Sequence, residues 1–154
     1  MISVQTILEV MTDPLELDRQ LCFALAATSR EVVRLYRPSL EPLGLTHPQY
    51  LVMLALWEQS PLRLREIADR LHLEPATASP LIGRLEALGL LTRRRSTADE
   101  RAVDIALTTD GEALRERALA VPGEVVERLG YPVERLERLR DELTALLDAA
   151  HRVG

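Results

Sequence analysis

The chain has little with which to do chemistry. Its 154 residues include one cysteine, three histidines, one phenylalanine and one tryptophan, and all 19 basic residues are arginine. A single cysteine excludes an intramolecular disulfide. His47, His72 and His151 fall at no ligand spacing and have no cysteine cluster to join, so neither a metal site nor a cofactor is expected. No apolar run reaches the roughly 20 residues of a membrane span. Met1 to Met11 carry none of the basic residues that open a secretory signal. These absences point to a soluble, cytoplasmic chain with no membrane partner.

The net charge of −5 and pI near 5.3 argue against a generic nucleic-acid binder. The distribution says more than the sum. Arg63 to Arg101 holds 8 arginines and 6 acids, a balance of +2, and the remainder holds 11 and 18, a balance of −7. A locally basic stretch on an acidic body suits a selective DNA binder with limited non-specific affinity, because counterion release follows the phosphates actually touched. With 47% apolar and 28% charged residues, 154 residues suffice for one domain with a real core.

The basic stretch is also the most patterned. Leu64, Ile67, Ala68 and Leu71 recur at the spacing of one helix face. After a break at His72–Glu74, Ala78, Leu81, Ile82, Leu85 and Leu88 repeat the pattern. Two short amphipathic helices so joined predict a helix-turn-helix, whose second helix enters the major groove. Pro80 lies inside that helix, so it is either kinked or regular only from about Thr77. Leu90–Arg95 and Val103–Leu107 then predict a hairpin, with Val103, Ile105 and Leu107 on one face. Its tip would carry Arg93, Arg94, Arg95 and Arg101 toward phosphates or the minor groove.

Here the chain resembles the winged-helix core of the MarR family of transcription regulators. Ile67-Ala68, Leu81-Ile82, Leu85-Glu86, Gly89-Leu90-Leu91, Arg93-Arg94, Asp99-Glu100-Arg101 and Leu107-Thr108 carry the likeness. The resemblance implies that Asp99 steadies the wing and that Arg101 enters the minor groove. Thr77, Ser79 and Arg84 are the expected contacts of the recognition helix, with Arg94, Arg95 and Arg101 in the wing. The expected fold is mainly α with a small β-hairpin wing.

Around this core, Asp13-Pro14-x-Glu16 reads as a helix start, with the helix ending before Pro38. Its wide apolar stripe needs cover on two sides. Thr46-His-Pro-Gln49 opens another helix, Thr108 caps one running to about Gly130 with a bend at Pro122-Gly123, and Pro132 opens the last, striped with Leu136, Leu139, Leu143, Leu146 and Leu147. Helices at about 13–37 and 108–151 are expected to dimerise the single subunit 1–154 around a DNA-binding core at about 47–107. A twofold dimer reads a pseudo-palindrome in double-stranded DNA, with half-sites about 10 bp apart.

A lone cysteine in a helix stripe usually acts as a small hydrophobe. The words around Cys22 change that. Leu21-Cys22-Phe23, Leu35-Tyr36-Arg37-Pro38, Leu45-Thr46-His47-Pro48-Gln49-Tyr50-Leu51 and Leu56-Trp57-Glu58 are similar to the organic-hydroperoxide-sensing branch of the same family, across about 17–123. The resemblance implies that Cys22 is the oxidised residue, that Tyr36 bonds its thiolate, and that the oxidised repressor leaves DNA. Positions 26 and 47, tyrosine in some relatives, are Ala26 and His47 here; His47 either donates to the thiolate or serves only as a helix-start residue. Fourteen residues of helix part Cys22 from Tyr36 by about 21 Å, so a Tyr36 that serves Cys22 must come from the other subunit. Oxidation would give a sulfenic acid, open to a small thiol. The alternatives are a regulator of the same fold answering a small aromatic ligand, with Cys22 structural, and a one-cysteine thiol peroxidase. The expectation is a repressor rather than an enzyme.

Overall fold

The computed structural model describes residues 13–154, which divide between residues 35 and 36 into two compact units. In the first unit, Asp13 Oδ1 accepts the N–H of Leu15 at 2.9 Å, and a 3-10 turn spans Leu17–Arg19. Helix α1 (Leu21–Leu40) follows and continues past the unit boundary. The helix therefore begins later than Asp13-Pro14 predicts. The reason lies at Gln20, whose backbone is extended and whose side-chain amide donates to the carbonyls of Pro14 and Glu16, closing a turn in place of a helix. None of residues 13–35 is buried.

The second unit opens on the end of α1, which runs through Pro38 where the sequence predicted a stop. Ser39 and Leu40 are buried, and the Ser39 hydroxyl donates to the Glu124 carboxylate and accepts from Arg128. Those contacts offset the one helical hydrogen bond that proline forgoes.

Helix α2 (His47–Glu58) starts at a capping box: Thr46 Oγ1 accepts the Gln49 N–H and Gln49 Oε1 accepts that of Thr46. Tyr50, Val52, Met53, Ala55 and Leu56 are all buried, so this helix is apolar on most of its surface and lies at the centre of its unit. Around it come β1 (Leu62–Arg63), α3 (Leu64–Arg70), α4 (Pro75–Ala87), β2 (Leu91–Arg95) and β3 (Val103–Leu107). Ile67, Ala68, Ala78, Ile82 and Leu85 of the two helices are fully buried, and Leu62, Leu91 and Ile105 bring the sheet onto the same core. The strands run β1-β3-β2, antiparallel, with Leu62 opposite Ile105 and Leu91 opposite Leu107. The wing is thus a hairpin extended by a third, two-residue strand. Val103 shares a face with buried Ile105, as the alternation predicts, but is 49% exposed at the outer end of the hairpin, opposite Arg95.

Helix α4 begins at Pro75, before the predicted Thr77, and keeps Pro80 inside it. Ala76, whose carbonyl would have accepted the missing hydrogen bond, is an exposed residue. The helix ends at Gly89, whose φ of 76° is the left-handed turn glycine accommodates best. His72, between α3 and α4, has a φ of 54°.

Thr108 caps α5 (Thr109–Ala118) through the Gly111 N–H. The expected long helix is two, the second being α6 (Val121–Leu129). The break falls at Leu119–Ala120, ahead of Pro122-Gly123, because Pro122 sits in the first turn of α6, where a missing N–H costs nothing. The last helix, α7 (Val133–Val153), has no buried residue, and its His151 ring stacks on His72 at 5.0 Å between centroids.

Candidate functional site

Helix α4 holds Ala78, Ile82 and Leu85 inward. Thr77 and Arg84 are exposed and seven residues apart, so they share one line along the helix; Ser79 projects from the opposite flank, half-buried. Between them the outermost line is Ala76, Pro80, Gly83 and Ala87. Small residues there let the helix approach a flat surface closely while polar groups reach it from both sides.

The wing sorts its arginines by strand alternation. Arg93 and Arg95 share a face with Ile105 and Val103, whereas Arg94 lies opposite Asp104 on the other face. Asp104 is also opposite Arg63 of β1, so one acid sits in register between two arginines. Arg63 is a basic residue of this sheet that the sequence reading missed, since two residues between Pro61 and a helix show no alternation. Arg93 is engaged by Glu86 of α4 at 3.6 Å, which ties wing to helix. At the tip, Asp99 Oδ1 accepts the Arg101 N–H at 3.0 Å, its carbonyl accepts that of Ala102, and the Ala102 carbonyl accepts that of Ser96. Ser96 is buried, and its hydroxyl accepts the Ala98 N–H. Arg94, Arg95, Asp99 and Arg101 are all exposed.

Cys22 is exposed, on a stretch of α1 where Leu21 and Phe23 are exposed too. In the second unit, the Tyr36 and His47 rings meet edge to face at 4.8 Å. Tyr50 stands 6.0 Å from Tyr36 and 6.4 Å from His47, and Trp57 lies 6.5 Å from Tyr50. Two of the three predicted sensor residues are therefore in contact, and two further aromatic residues that the sequence reading did not single out for this cluster extend it. Burial holds the His47 pKa below its usual value, which favours the neutral imidazole over the cation. Burial, and then the facing Tyr36, push the Tyr50 hydroxyl upward. The Trp57 indole donates to the Gly111 carbonyl at 2.9 Å.

Among the described residues no group of three His, Cys, Asp or Glu side chains could hold a metal, and no helix is long and apolar enough to cross a membrane. An open pocket of about 320 Å³ is lined by Tyr50, Leu54, Trp57, Arg115 and Leu119, among others.

Comparison with known proteins gives this geometry a context. Residues 45–103 match the MarR family. An organic hydroperoxide resistance transcriptional regulator of Bacillus subtilis (strain 168) is 41% identical over 140 residues, 91% of this chain and 95% of the relative. The HTH-type transcriptional regulator TtmR of Methylorubrum extorquens (strain PA1) is 42% identical over 90% of this chain and 71% of its own length. Among solved structures, reduced AbfR bound to DNA superposes with a TM-score of 0.70 at 33% identity, covering 90% of this chain and 95% of that one.

Proposed function

Since the chain belongs to the MarR family, we propose that it is a homodimeric winged-helix repressor that leaves double-stranded DNA when an organic hydroperoxide oxidises Cys22. The observation that carries the reading is an exposed lone thiol set among apolar neighbours, in a chain 41% identical to a hydroperoxide resistance regulator. Leu21, Phe23 and Leu25 suit an organic peroxide better than hydrogen peroxide.

Helix α4 lies in the major groove, with Thr77, Ser79 and Arg84 toward base edges and phosphates. Arg94, Arg95 and Arg101 reach the backbone and minor groove from the wing, with the tip shaped by Asp99. With fourteen residues of helix between Cys22 and Tyr36, an ideal rise of about 21 Å, each sensor on this reading is completed by the dimer: Tyr36 of the partner subunit donates to the Cys22 thiolate, and His47 beside it supplies an N–H. The depressed pKa makes His47 a neutral donor at pH 7, so it acts by hydrogen bonding.

The thiolate attacks the outer peroxide oxygen, the O–O bond breaks, and the alkoxide leaves and takes a proton to become the alcohol. The sulfur loses two electrons and becomes a sulfenic acid. A small cellular thiol then condenses with it, releasing water and leaving a mixed disulfide. The added group alters helix packing and shifts the population toward dimers whose recognition helices no longer fit the operator. Peroxide is here a signal, one equivalent per thiol, received in the cytoplasm where the DNA lies.

Fluorescence anisotropy on a duplex from upstream of the protein's own gene tests this. One equivalent of cumene hydroperoxide plus a small thiol releases wild type, and leaves Cys22→Ser bound. Release of both variants, or of neither, sinks the peroxide reading. It would favour a small aromatic ligand in the pocket between Trp57 and Arg115. Catalytic rather than stoichiometric peroxide loss would indicate a thiol peroxidase.

A further inference from the structure

We propose that Trp57 is the positioning residue that couples the Tyr36–His47 cluster to the joint between the winged part and the terminal helices. The proposal rests on the reading of Cys22 and Tyr36 as the sensor.

The chain contains only five aromatic residues: three tyrosines, one tryptophan and one phenylalanine. Tyr36, His47 and Tyr50 form a triangle of rings, and Trp57 packs edge to face with Tyr50 at 6.5 Å. His47, Tyr50 and Trp57 lie three and then seven residues apart, so a single face of α2 carries all of them. One end of this cluster is the tyrosine assigned to the thiolate. The other is an indole N–H, a group with one donor and no acceptor, bonded to the Gly111 carbonyl.

Gly111 has no freedom to follow or yield. A Cβ at this position would collide with the Leu90 carbonyl oxygen, so the glycine is lodged between Trp57 and the backbone at Leu90. Its N–H is held by Thr108 Oγ1, and that hydroxyl donates to the Gly89 carbonyl at 2.6 Å. The Thr108 N–H donates to the Leu90 carbonyl at 3.0 Å. Gly89 and Leu90 are the two residues that follow the helix turn after α4 and lead into β2. Thr108 to Gly111 is the first turn of α5, where the chain leaves the winged part for the terminal helices.

A close-packed cluster of rings does not deform gradually. A Tyr36 ring displaced by a group on Cys22 pushes on His47 and Tyr50, and through Tyr50 on Trp57. A shift of about 1 Å in the indole takes the 2.9 Å bond to Gly111 outside hydrogen-bond range. The turn that fixes the angle between winged part and terminal helices then loses one of its holds. In a dimer that angle sets the separation of the two recognition helices.

The test compares operator affinity before and after cumene hydroperoxide plus a small thiol, in wild type and Trp57→Phe, with Cys22 oxidation followed by mass spectrometry. Phenylalanine keeps a ring and removes the donor. Because the reduced variant already lacks this hold, it should bind DNA about five- to tenfold more weakly than wild type, while oxidising Cys22 at the wild-type rate. Its ratio of oxidised to reduced Kd should fall about five- to tenfold. An unchanged ratio overturns the proposal. Failure of wild type itself to release DNA overturns the sensor reading, and the coupling with it.

Should Trp57→Phe not fold, wild type supplies the answer, because Trp57 is the only tryptophan and its emission reports this site alone. Emission should shift on oxidation of Cys22 and again on operator binding. Release of DNA by oxidised wild type with no shift in either case would overturn the coupling and leave the sensor standing.

Discussion

The winged part and helix α7 are built on opposite terms. In the winged part Ile67, Ala68, Ala78, Ile82 and Leu85 are fully buried within the chain itself, and the two helices and the sheet hold one another. Helix α7 is the longest helix among the described residues, yet none of its residues is buried: Leu139, Leu143, Leu146 and Leu147 stay 38–47% exposed at helical spacing. A leucine stripe with acids and arginines on its outer side is the pattern that the proposed dimer would cover. The first region specifies a shape by itself, and the second, on that proposal, a shape in company. A regulator needs both, since a recognition unit must be fixed while the distance between two of them must be adjustable.

Breaking the first region should have the largest effect. Leu85→Ala removes a fully buried side chain from α4, so urea unfolding should show a loss of about 2–5 kcal/mol. A change under about 1 kcal/mol would mean that the winged part leans on its partner after all. Leu143→Glu should leave that part folded by circular dichroism. It should give a monomer by sedimentation and lower operator affinity by about 100-fold, as a second half-site is lost. A dimer that survives it places the interface elsewhere.

Arg101→Ala sharpens the picture at the surface. It should weaken binding and lower the salt slope by about one unit. An unchanged slope would remove Arg101 from the phosphate contacts. Smallest is the effect of pH through His47. Its folded pKa is depressed by burial, so the unfolded chain takes up the proton first as pH falls through the ordinary value of 6.5. Stability should decline on going from about pH 7.5 to about 5.5, and His47→Gln should flatten that decline. A wild-type urea midpoint equal at both pH values would contradict this.

Much of this was legible because local rules carried it. Periodicity found α3 and α4, and Thr46 and Thr108 announced their helices through side chains that bond three residues on. What escaped was decided across the fold. Pro38 reads as a stop, but buried Leu40 and the Ser39 contacts draw the helix past it. Asp13-Pro14 reads as a start, but Gln20 closes the turn instead. Strand β1 is too short to alternate. The bond from Trp57 to Gly111 spans 54 positions, and nothing near either residue foretells it. Of the proposed sensor residues, Cys22, Tyr36 and His47 rest on sequence words alone, while the contact of Tyr36 with His47 and the depressed histidine pKa come from the packing.

The half-exposed Glu86–Arg93 pair contributes under about 1 kcal/mol to stability, but together with Thr108 it makes helix and wing a single solid jaw. On the proposed coupling, two such jaws on a movable joint work as callipers, and DNA is an unforgiving scale for them. One base-pair step advances about 3.4 Å and turns about 34°, given 10 to 10.5 bp per turn. A repressor that only changes its span by that much has not loosened its grip anywhere; it has measured the wrong length.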